Sequence, residues 1–395
     1  MAIDFFTRLP LHGETHLLPT GPINRVDWFR SPPRHGGAND KRGKSDFGHI
    51  DYLAQVAKAA ELSGFGGVLL VNAPTGEEPW TISSLLARET QQLRFVTAFH
   101  PAHLSPWTAV QISATYQRAT GNRLIWNIIN GGSEVVARQF GDFTPHDQRY
   151  ERAIEWLDVV KGYWNEGSFT HEGKYYRAGG GGRRGSQLDA ELPLICTAGS
   201  SEAARELGAK HADYYLMRAE RPQEIAALIG DVSARARKYG RPTPRFGLSI
   251  DVITRATEAE ALAEARRFFD AGIARGAAKA RAAQASTRSA RKLGYEHDYV
   301  DQPEAARFED FFIHPNVWSG LGFIGVPPGC ALVGSYENVV ARICEYHAVG
   351  IDLFFLAGHP HLEEAYRIGE HILPHFAAER APAGRPQAHP NRSLL

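Results

Sequence analysis

The stretch Asp352–Pro374 reads DLFFLAGHPHLEEAYRIGEHILP. Its first six residues, Asp352–Ala357, are an apolar run of strand length. Gly358-His359-Pro360-His361 interrupts it, and Leu362, Ala365, Tyr366, Gly369 and Ile372 then recur with helical spacing. A buried strand that delivers two imidazoles at its C-terminal end, just ahead of a helix, is the arrangement in which a (β/α)8 barrel keeps its chemistry. A polar turn with structural histidines explains the same letters, so the rest of the chain has to decide.

Seven further strand-like runs precede this one: Asp4–Leu9, Gly67–Val71, Arg94–His100, Arg123–Ile129, Pro193–Thr197, Tyr214–Met217 and Arg245–Thr254. Amphipathic stretches lie between them, clearest at Ile50–Leu62, Trp80–Thr90, Pro106–Ala119, Arg149–Trp164, Glu202–His211, Pro222–Tyr239 and Tyr336–His347. Mostly continuous apolar strand cores separated by helices fit a parallel sheet covered on its outer face. Right-handed crossovers allow a closed barrel or an open doubly wound sheet. Eight units fill a barrel, and no G-x-G-x-x-G opens a helix after the first strand, so the expected fold is an α/β (β/α)8 TIM barrel. It is expected as one domain over residues 1–378, with insertions at about 21–48 (after strand one) and 271–328 (between strands seven and eight). A disordered tail is expected over 379–395, where Ala, Pro and Arg dominate.

Composition narrows the function. Lysine plus arginine equal aspartate plus glutamate at 44 each, so no global field favours nucleic acid or an anionic membrane. The three cysteines, Cys196, Cys330 and Cys344, are too few and scattered for a disulfide framework or a thiolate metal site. The start, MAIDFFTRLPLHGE, is not a signal peptide, and no apolar stretch approaches ~20 residues. A soluble protein of a reducing, cytoplasmic compartment is expected.

In a barrel the residues that matter sit at the C-terminal strand ends. They are His12, Asn72, His100, Asn127 with Asn130, the run Ala198-Gly199-Ser200-Ser201, Arg218, Asp251 within strand seven, and His359 with His361. Each histidine alone is more often a hydrogen-bonded structural residue than a catalyst; their joint placement at one rim favours a site. Ala198–Ser201 precedes a helix whose free amides suit a phosphate, although a plain serine cap explains the same letters. His146 and Tyr150 are four residues apart, which puts both on one helical face. Gly179–Gly182 lacks a Gly-Lys-Ser/Thr ending and reads as a flexible turn after the hairpin-like FTHEGKYYR. His359, His361, Glu363 and Glu364 raise the question of a metal, but there is no H-E-x-x-H and Pro360 disturbs the spacing, so no metal is expected. No G-x-S-x-G marks a hydrolase.

Several blocks, in order, resemble the bacterial luciferase-like flavin monooxygenases, and most closely their alkanesulfonate monooxygenase branch. They are LPLHGETHLLPT (Leu9–Thr20), NIINGG (Asn127–Gly132), HDQRYERAIEW (His146–Trp156), GKYYR (Gly173–Arg177) and AGSSEAARELGA (Ala198–Ala209). NVWSGLGF (Asn316–Phe323), ALVGSYENVVARICEY (Ala331–Tyr346) and GHPHLEEAYRIGEHILP (Gly358–Pro374) complete the set. The resemblance implies a barrel that binds reduced FMN supplied by a separate NAD(P)H-dependent flavin reductase. Dioxygen then adds to the flavin, and the flavin peroxide oxygenates an organic substrate. It also implies a homodimer or homotetramer. Asn127, His146, Tyr150, Ser200 and Ser201 match flavin- and phosphate-binding positions, and the strand-end residues Asn72 and His100 join them as cofactor candidates. His12 matches an active-site histidine, and with Asp251, His359 and His361 it makes up the catalytic candidates. Arg218, Arg288 and Arg291 are candidates for substrate or lid contacts, the basic run Ala271–Lys292 lying where relatives have a mobile lid.

This chain departs from the alkanesulfonate pattern at several positions. Gly76 replaces a cysteine, Ser249 and Asp251 replace an arginine and a histidine, Arg218 replaces a tryptophan, Gly325 an arginine, and His359 a tyrosine. Arginine holds a sulfonate through paired charge-assisted bonds, so these changes weaken sulfonate binding by on the order of several kcal/mol. The expected activity is an FMNH2-dependent two-component monooxygenase of a small organic substrate, the organosulfur class included. The alternatives are an F420-dependent hydride-transfer enzyme and a catalytically silent flavin-binding protein.

Overall fold

A computed structural model describes residues 3–15, 17–18, 48–131, 134–274, 276 and 306–377. The expected insert over 21–48, apart from Gly48, the lid candidates Arg288 and Arg291, and the expected tail over 379–395 lie outside the described residues.

The strands are β1 (Asp4–Arg8), β2 (Gly67–Leu70), β3 (Arg94–Phe99), β4 (Leu124–Ile128), β5 (Phe169–Glu172), β6 (Arg177–Gly181) and β7 (Leu194–Ala198). They continue as β8 (Tyr214–Arg218), β9 (Arg245–Arg255), β10 (Phe312–His314), β11 (Val317–Trp318), β12 (Ala331–Ser335) and β13 (Ile351–Ala357). The helices are α1 (His49–Leu62), α2 (Pro79–Leu86), α3 (Pro106–Thr120), α4 (Glu134–Gln139), α5 (His146–Asn165) and α6 (Glu202–His211). After them come α7 (Pro222–Lys238), α8 (Glu258–Ala274), α9 (Gly320–Phe323), α10 (Tyr336–Ala348) and α11 (His361–His371). One sheet runs β13-β1-β2-β3-β4-β7-β8, and β9 pairs with both β8 and β13, so these eight strands close into a (β/α)8 barrel. Each of the eight coincides with a run expected from sequence. The reason is burial on both faces: every residue of β2, β4 and β13 is buried, which leaves a continuous apolar signature.

The chain divides into two compact units. The first comprises the described parts of Met1–Phe65, Met217–Ala227 and Gly247–Arg380. Its parallel β1–β13 register sets Asp4, Phe5 and Phe6 opposite Leu353, Phe354 and Phe355. On β9, residues Asp251–Arg255 pair in parallel with Ala331–Ser335 of β12, and β11 pairs antiparallel with β12 and β10. Sequence reading did not single out α8, and it placed one insertion over 271–328. Within the described part of that segment Phe308, Phe311, Trp318 and Phe323 pack with Phe268 and Phe269 of α8 in one buried cluster. Fully burying each such ring contributes about 1.5–3 kcal/mol, so this segment folds onto the barrel.

The second unit comprises the described parts of Gly66–Leu216 and Leu228–Phe246. Phe99, Trp126 and Trp156 form a mutual edge-to-face cluster, with centroids 5.7–6.0 Å apart. Both indole N–H groups are satisfied, Trp126 by Ser113 Oγ at 3.0 Å and Trp156 by the Leu104 carbonyl at 2.7 Å. The segment FTHEGKYYR forms the expected hairpin, but Gly179–Gly181 belong to its second strand rather than to a turn. Close approach explains the glycines: a Cβ on Gly182 would lie 2.1 Å from the Glu166 carbonyl oxygen, and one on Gly181 would lie 2.6 Å from the Tyr163 ring.

Candidate active site

The first unit holds a buried string of ionisable groups drawn from four elements. Arg8 ends β1, Asp251 lies mid-way along β9, and His359 follows β13 while His361 opens α11. A tight turn after β1, in which the Gly13 amide donates to the Pro10 carbonyl at 2.9 Å, brings Glu14 into the same place. Glu14, Asp251, His359 and His361 are respectively 4%, 0%, 8% and 5% exposed, so their mutual contacts replace water. Arg8 Nη2 lies 2.9 Å from Asp251 Oδ1 and donates to Oδ2 at 3.2 Å. Asp251 Oδ2 also accepts from His359 Nε2 at 3.1 Å. Glu14 Oε1 accepts from the Tyr52 hydroxyl at 2.5 Å and from the His361 amide at 2.8 Å. Glu14 Oε2 accepts from His361 Nδ1 at 2.9 Å and lies 3.8 Å from His359 Nδ1. Two buried ring nitrogens, His359 Nδ1 and His361 Nε2, have no hydrogen-bond partner among the described residues.

The electrostatics alternate along this string. Burial opposes an imidazolium at His359, but the hydrogen bond to Asp251 and the charges of Asp251 and Glu14 outweigh it, raising its pKa to about 9. Burial likewise opposes both carboxylates. The charge and hydrogen bonds of His361, with the charge of His359, nevertheless hold Glu14 well below its usual range, and Arg8 and His359 hold Asp251 below its own. His361 is lowered, because desolvation and the charges of His359 and Arg8 exceed the pull of Glu14. The string therefore reads cation, anion, cation, anion, neutral. One ligand atom each from Glu14, His359 and His361 lie within 4.8 Å of one another, a spacing that also suits a metal ion. Glu364, paired in the sequence reading with the histidines, turns instead to Arg255 at 3.1 Å and Arg367 at 3.2 Å. His12 is exposed, and desolvation, Arg8 and His49 lower its pKa. Arg218 is exposed at the end of β8, and Ser249 is half-buried on β9.

The second unit gathers neutral groups. Asn72 Oδ1, Asn127 Oδ1 and Asn130 Nδ2 are buried without a hydrogen-bond partner among the described residues; Thr97 and Thr197 Oγ1 are too, but by register they share the helix-facing side of Trp126 rather than that of Asn127. Buried Arg149 holds the backbone beside the asparagines, donating to the carbonyls of Asn130 at 2.8 Å, Gly131 at 2.9 Å and Thr144 at 2.8 Å. His146 and Tyr150 share one face of α5, as their spacing predicts, with ring centroids 5.0 Å apart; His146 Nδ1 lies 2.7 Å from Asp147. Desolvation raises the Tyr150 phenol against a hydrogen bond with Ser201. Ser201 caps α6, its Oγ accepting from the Ala204 amide at 3.2 Å, while Ser200 is exposed. Gly199 has φ +136°, and a Cβ there would lie 2.7 Å from Ala204 Cβ and 3.5 Å from the Tyr150 hydroxyl, so only glycine leaves this approach open. His100 is buried against His103 and Phe140, with centroids 5.2 and 5.0 Å away, and desolvation lowers it to about 4.

The family profile of luciferase-like monooxygenase matches residues 28–353. The chain belongs to the luciferase-like monooxygenase family. Among solved structures of this fold, riboflavin lyase (RcaE), with modified FMN and riboflavin, has a TM-score of 0.72 at 18% identity, covering 96% of this chain and 93% of that one. EDTA monooxygenase (EmoA) from Chelativorans sp. BNC1 has a TM-score of 0.68 at 18% identity, covering 96% and 94%. An F420-dependent secondary alcohol dehydrogenase has a TM-score of 0.62 at 14% identity, covering 94% and 99%. Like the flavin-dependent monooxygenases of this family, the chain is an enzyme. Among the described residues no helix is long and apolar enough to cross a membrane.

Sequence reasoning missed Arg8, Glu14 and Tyr52 as members of the ionic string. Glu14 lies inside the quoted block LPLHGETHLLPT, yet its partner His361 is 347 residues away, and no local pattern links them.

Proposed function

We propose that this enzyme is the oxygenating component of a two-component, FMN-dependent monooxygenase acting on a small organic molecule. The observation that carries this reading is the second unit's set of buried side-chain amides without partners among the described residues, together with a serine-capped helix start and a phenol in the same unit. A flavin supplies complementary groups for both: an imide edge with donors and acceptors, and a phosphate suited to helix amides and hydroxyls. Asn72, His100 and Asn127 are proposed to hold the ring system, and His146, Tyr150, Ser200 and Ser201 the phosphate. When bound and reduced, FMN supplies the electrons that activate dioxygen. The flavin would be reduced elsewhere, by an NAD(P)H-dependent reductase, as is general for two-component members of the family.

The chain's own residues then orient the substrate, exclude water and hold protons. His12, Asp251, His359 and His361 are proposed for hydrogen bonding and proton holding, and Arg218, Arg288 and Arg291 for substrate or cover. A sulfonate is disfavoured as substrate. Ser249 and Asp251 stand where the alkanesulfonate pattern has cationic groups, and Arg8 is already neutralised by Asp251. Similar folds named for EDTA and for long-chain alkanes leave the substrate class broad.

Anaerobic equilibrium titration with reduced FMN, riboflavin and F420 tests the cofactor assignment. FMN is expected to bind at least tenfold more tightly than riboflavin, because the phosphate contacts are lost in the latter, and more tightly than F420. Preference for F420, or equal affinity for FMN and riboflavin, refutes it. Oxygen uptake with a flavin reductase and a substrate panel then reads the activity.

A further inference from the structure

Two departures of this chain from the alkanesulfonate pattern meet in space. Asp251 stands for a histidine and His359 for a tyrosine, and their side chains touch at 3.1 Å although 108 residues separate them. A carboxylate in place of a base, and a base in place of a phenol, is a matched exchange: each new residue satisfies the charge of the other. Counting charges in the closed string requires a second cation. Among the described residues of the string there are two buried carboxylates, Glu14 and Asp251, but one guanidinium, Arg8, which meets Asp251 alone, and an unbalanced buried charge is costly.

We propose that Asp251 and His359 form one unit in which His359 is a fixed imidazolium, positioning Glu14 so that His361 presents a free Nε2 as the proton acceptor of the site. Glu14 has only lone pairs to offer, so the 2.9 Å contact requires Nδ1–H on His361 and leaves the lone pair on Nε2. That nitrogen is buried and without a partner among the described residues. His359 acts through Glu14, whose carboxylate it faces at 3.8 Å, and is therefore a positioning residue. Charged and titratable groups around the two rings are Arg8 from β1, Glu14 from the turn after it, Asp251 from β9, and each ring for the other; Tyr52 of α1 reaches Glu14. The direction of the His359 and His361 titrations, one raised and one lowered, agrees with this arrangement.

The assignment deepens the monooxygenase reading, but its first test needs no flavin. Nitrogen-15 histidine spectra of the whole protein, titrated from pH 5 to 10, are expected to show His359 protonated on both nitrogens at neutral pH and His361 as the Nδ1–H tautomer. In His359→Tyr, which restores the phenol of the alkanesulfonate pattern, removal of the neighbouring cation is expected to raise the His361 midpoint by at least one pH unit, a tenfold gain in proton affinity. The acid limb of the rate at which bound reduced FMN is oxidised should move with it. Neutral His359 at pH 7 overturns the proposal, as does one equivalent of divalent metal per chain by mass spectrometry, or a His361 midpoint unmoved in His359→Tyr. Should His359→Tyr fail to fold, the wild-type spectra and His359→Gln decide. Loss of FMN binding with the expected histidine spectra would sink the cofactor reading alone.

Discussion

Two buried histidines, one in each compact unit, are driven in opposite directions. His100 is lowered to about 4 and His359 is raised to about 9, although both have lost nearly all contact with water. Desolvation is the largest single effect on each, and it disfavours the charged ring in both places. The difference lies in what stands beside them. His100 meets His103, a phenylalanine and the charge of Arg149, with Asp142 pulling the other way but not enough to offset burial. His359 lies between two carboxylates. The contrast extends to the regions around them. In the first unit the charges are matched among themselves, whereas in the second neutral side-chain amides are left without partners among the described residues. The former balances its charges internally but leaves two ring nitrogens open; the latter leaves neutral groups that a ligand is proposed to complete.

The comparison breaks most violently at Glu14. Glu14→Leu leaves the Tyr52 hydroxyl, the His361 amide and the His361 ring N–H without their acceptor, and leaves His359 with one carboxylate where it had two. Removing one partner of a buried charge pair costs about 3–5 kcal/mol, and urea unfolding of Glu14→Leu should show a loss of that size. A loss under about 1 kcal/mol would mean that the string is not an electrostatic unit.

A milder test uses pH, with opposite signs for the two histidines. His359 has a folded pKa above the model-compound value of 6.5. Its contribution to stability is therefore full below pH 6.5 and is lost as pH rises towards and through about 9. His100 has a folded pKa below 6.5, so its contribution is present above 6.5 and is lost as pH falls towards and through about 4. Each limb amounts to at most about 3 kcal/mol by linkage. Urea midpoints measured from pH 4 to 10 should fall at both ends. His359→Gln should flatten the alkaline limb, and His100→Gln should reduce the acid one. An alkaline limb that persists unchanged in His359→Gln assigns the loss to another group.

What was legible in the sequence follows the range of the forces involved. Continuous apolar runs identify strands buried on both faces, so all eight barrel strands and the position of His359 and His361 at the end of β13 could be read directly. His146 and Tyr150 obeyed local helical spacing. Glu14 could not be found in this way, because its role depends on closure of a barrel that brings β1 beside β13. The Asp251–His359 contact was equally hidden, each residue appearing separately as a departure. The Gly179–Gly181 strand was read as a turn because a glycine run carries no strand signature; crowding by Tyr163 and Glu166 explains it only once the hairpin has folded. The segment containing Phe308, Phe311 and Trp318 looked like part of an insertion because its aromatic partners lie on α8, outside it in sequence.

The smallest expected effect on stability is the sharpest probe of the second unit. Asn127 lies on β4, in register with Ala98 and Cys196, and its Oδ1 is buried with no partner among the described residues. Replacing a buried polar atom by an apolar one of similar size is costly only where it strands a partner, and Oδ1 has none to strand. Asn127→Leu should therefore unfold within about 1 kcal/mol of the parent, in contrast to Glu14→Leu. Its affinity for FMN should nevertheless fall about tenfold or more, because the group it removes is proposed to find its complement on the cofactor. If instead Asn127→Leu is strongly destabilised while binding FMN as before, the amide belongs to the scaffold. The distinction between a charge-balanced ionic unit and a ligand-shaped neutral one would then fail at this residue.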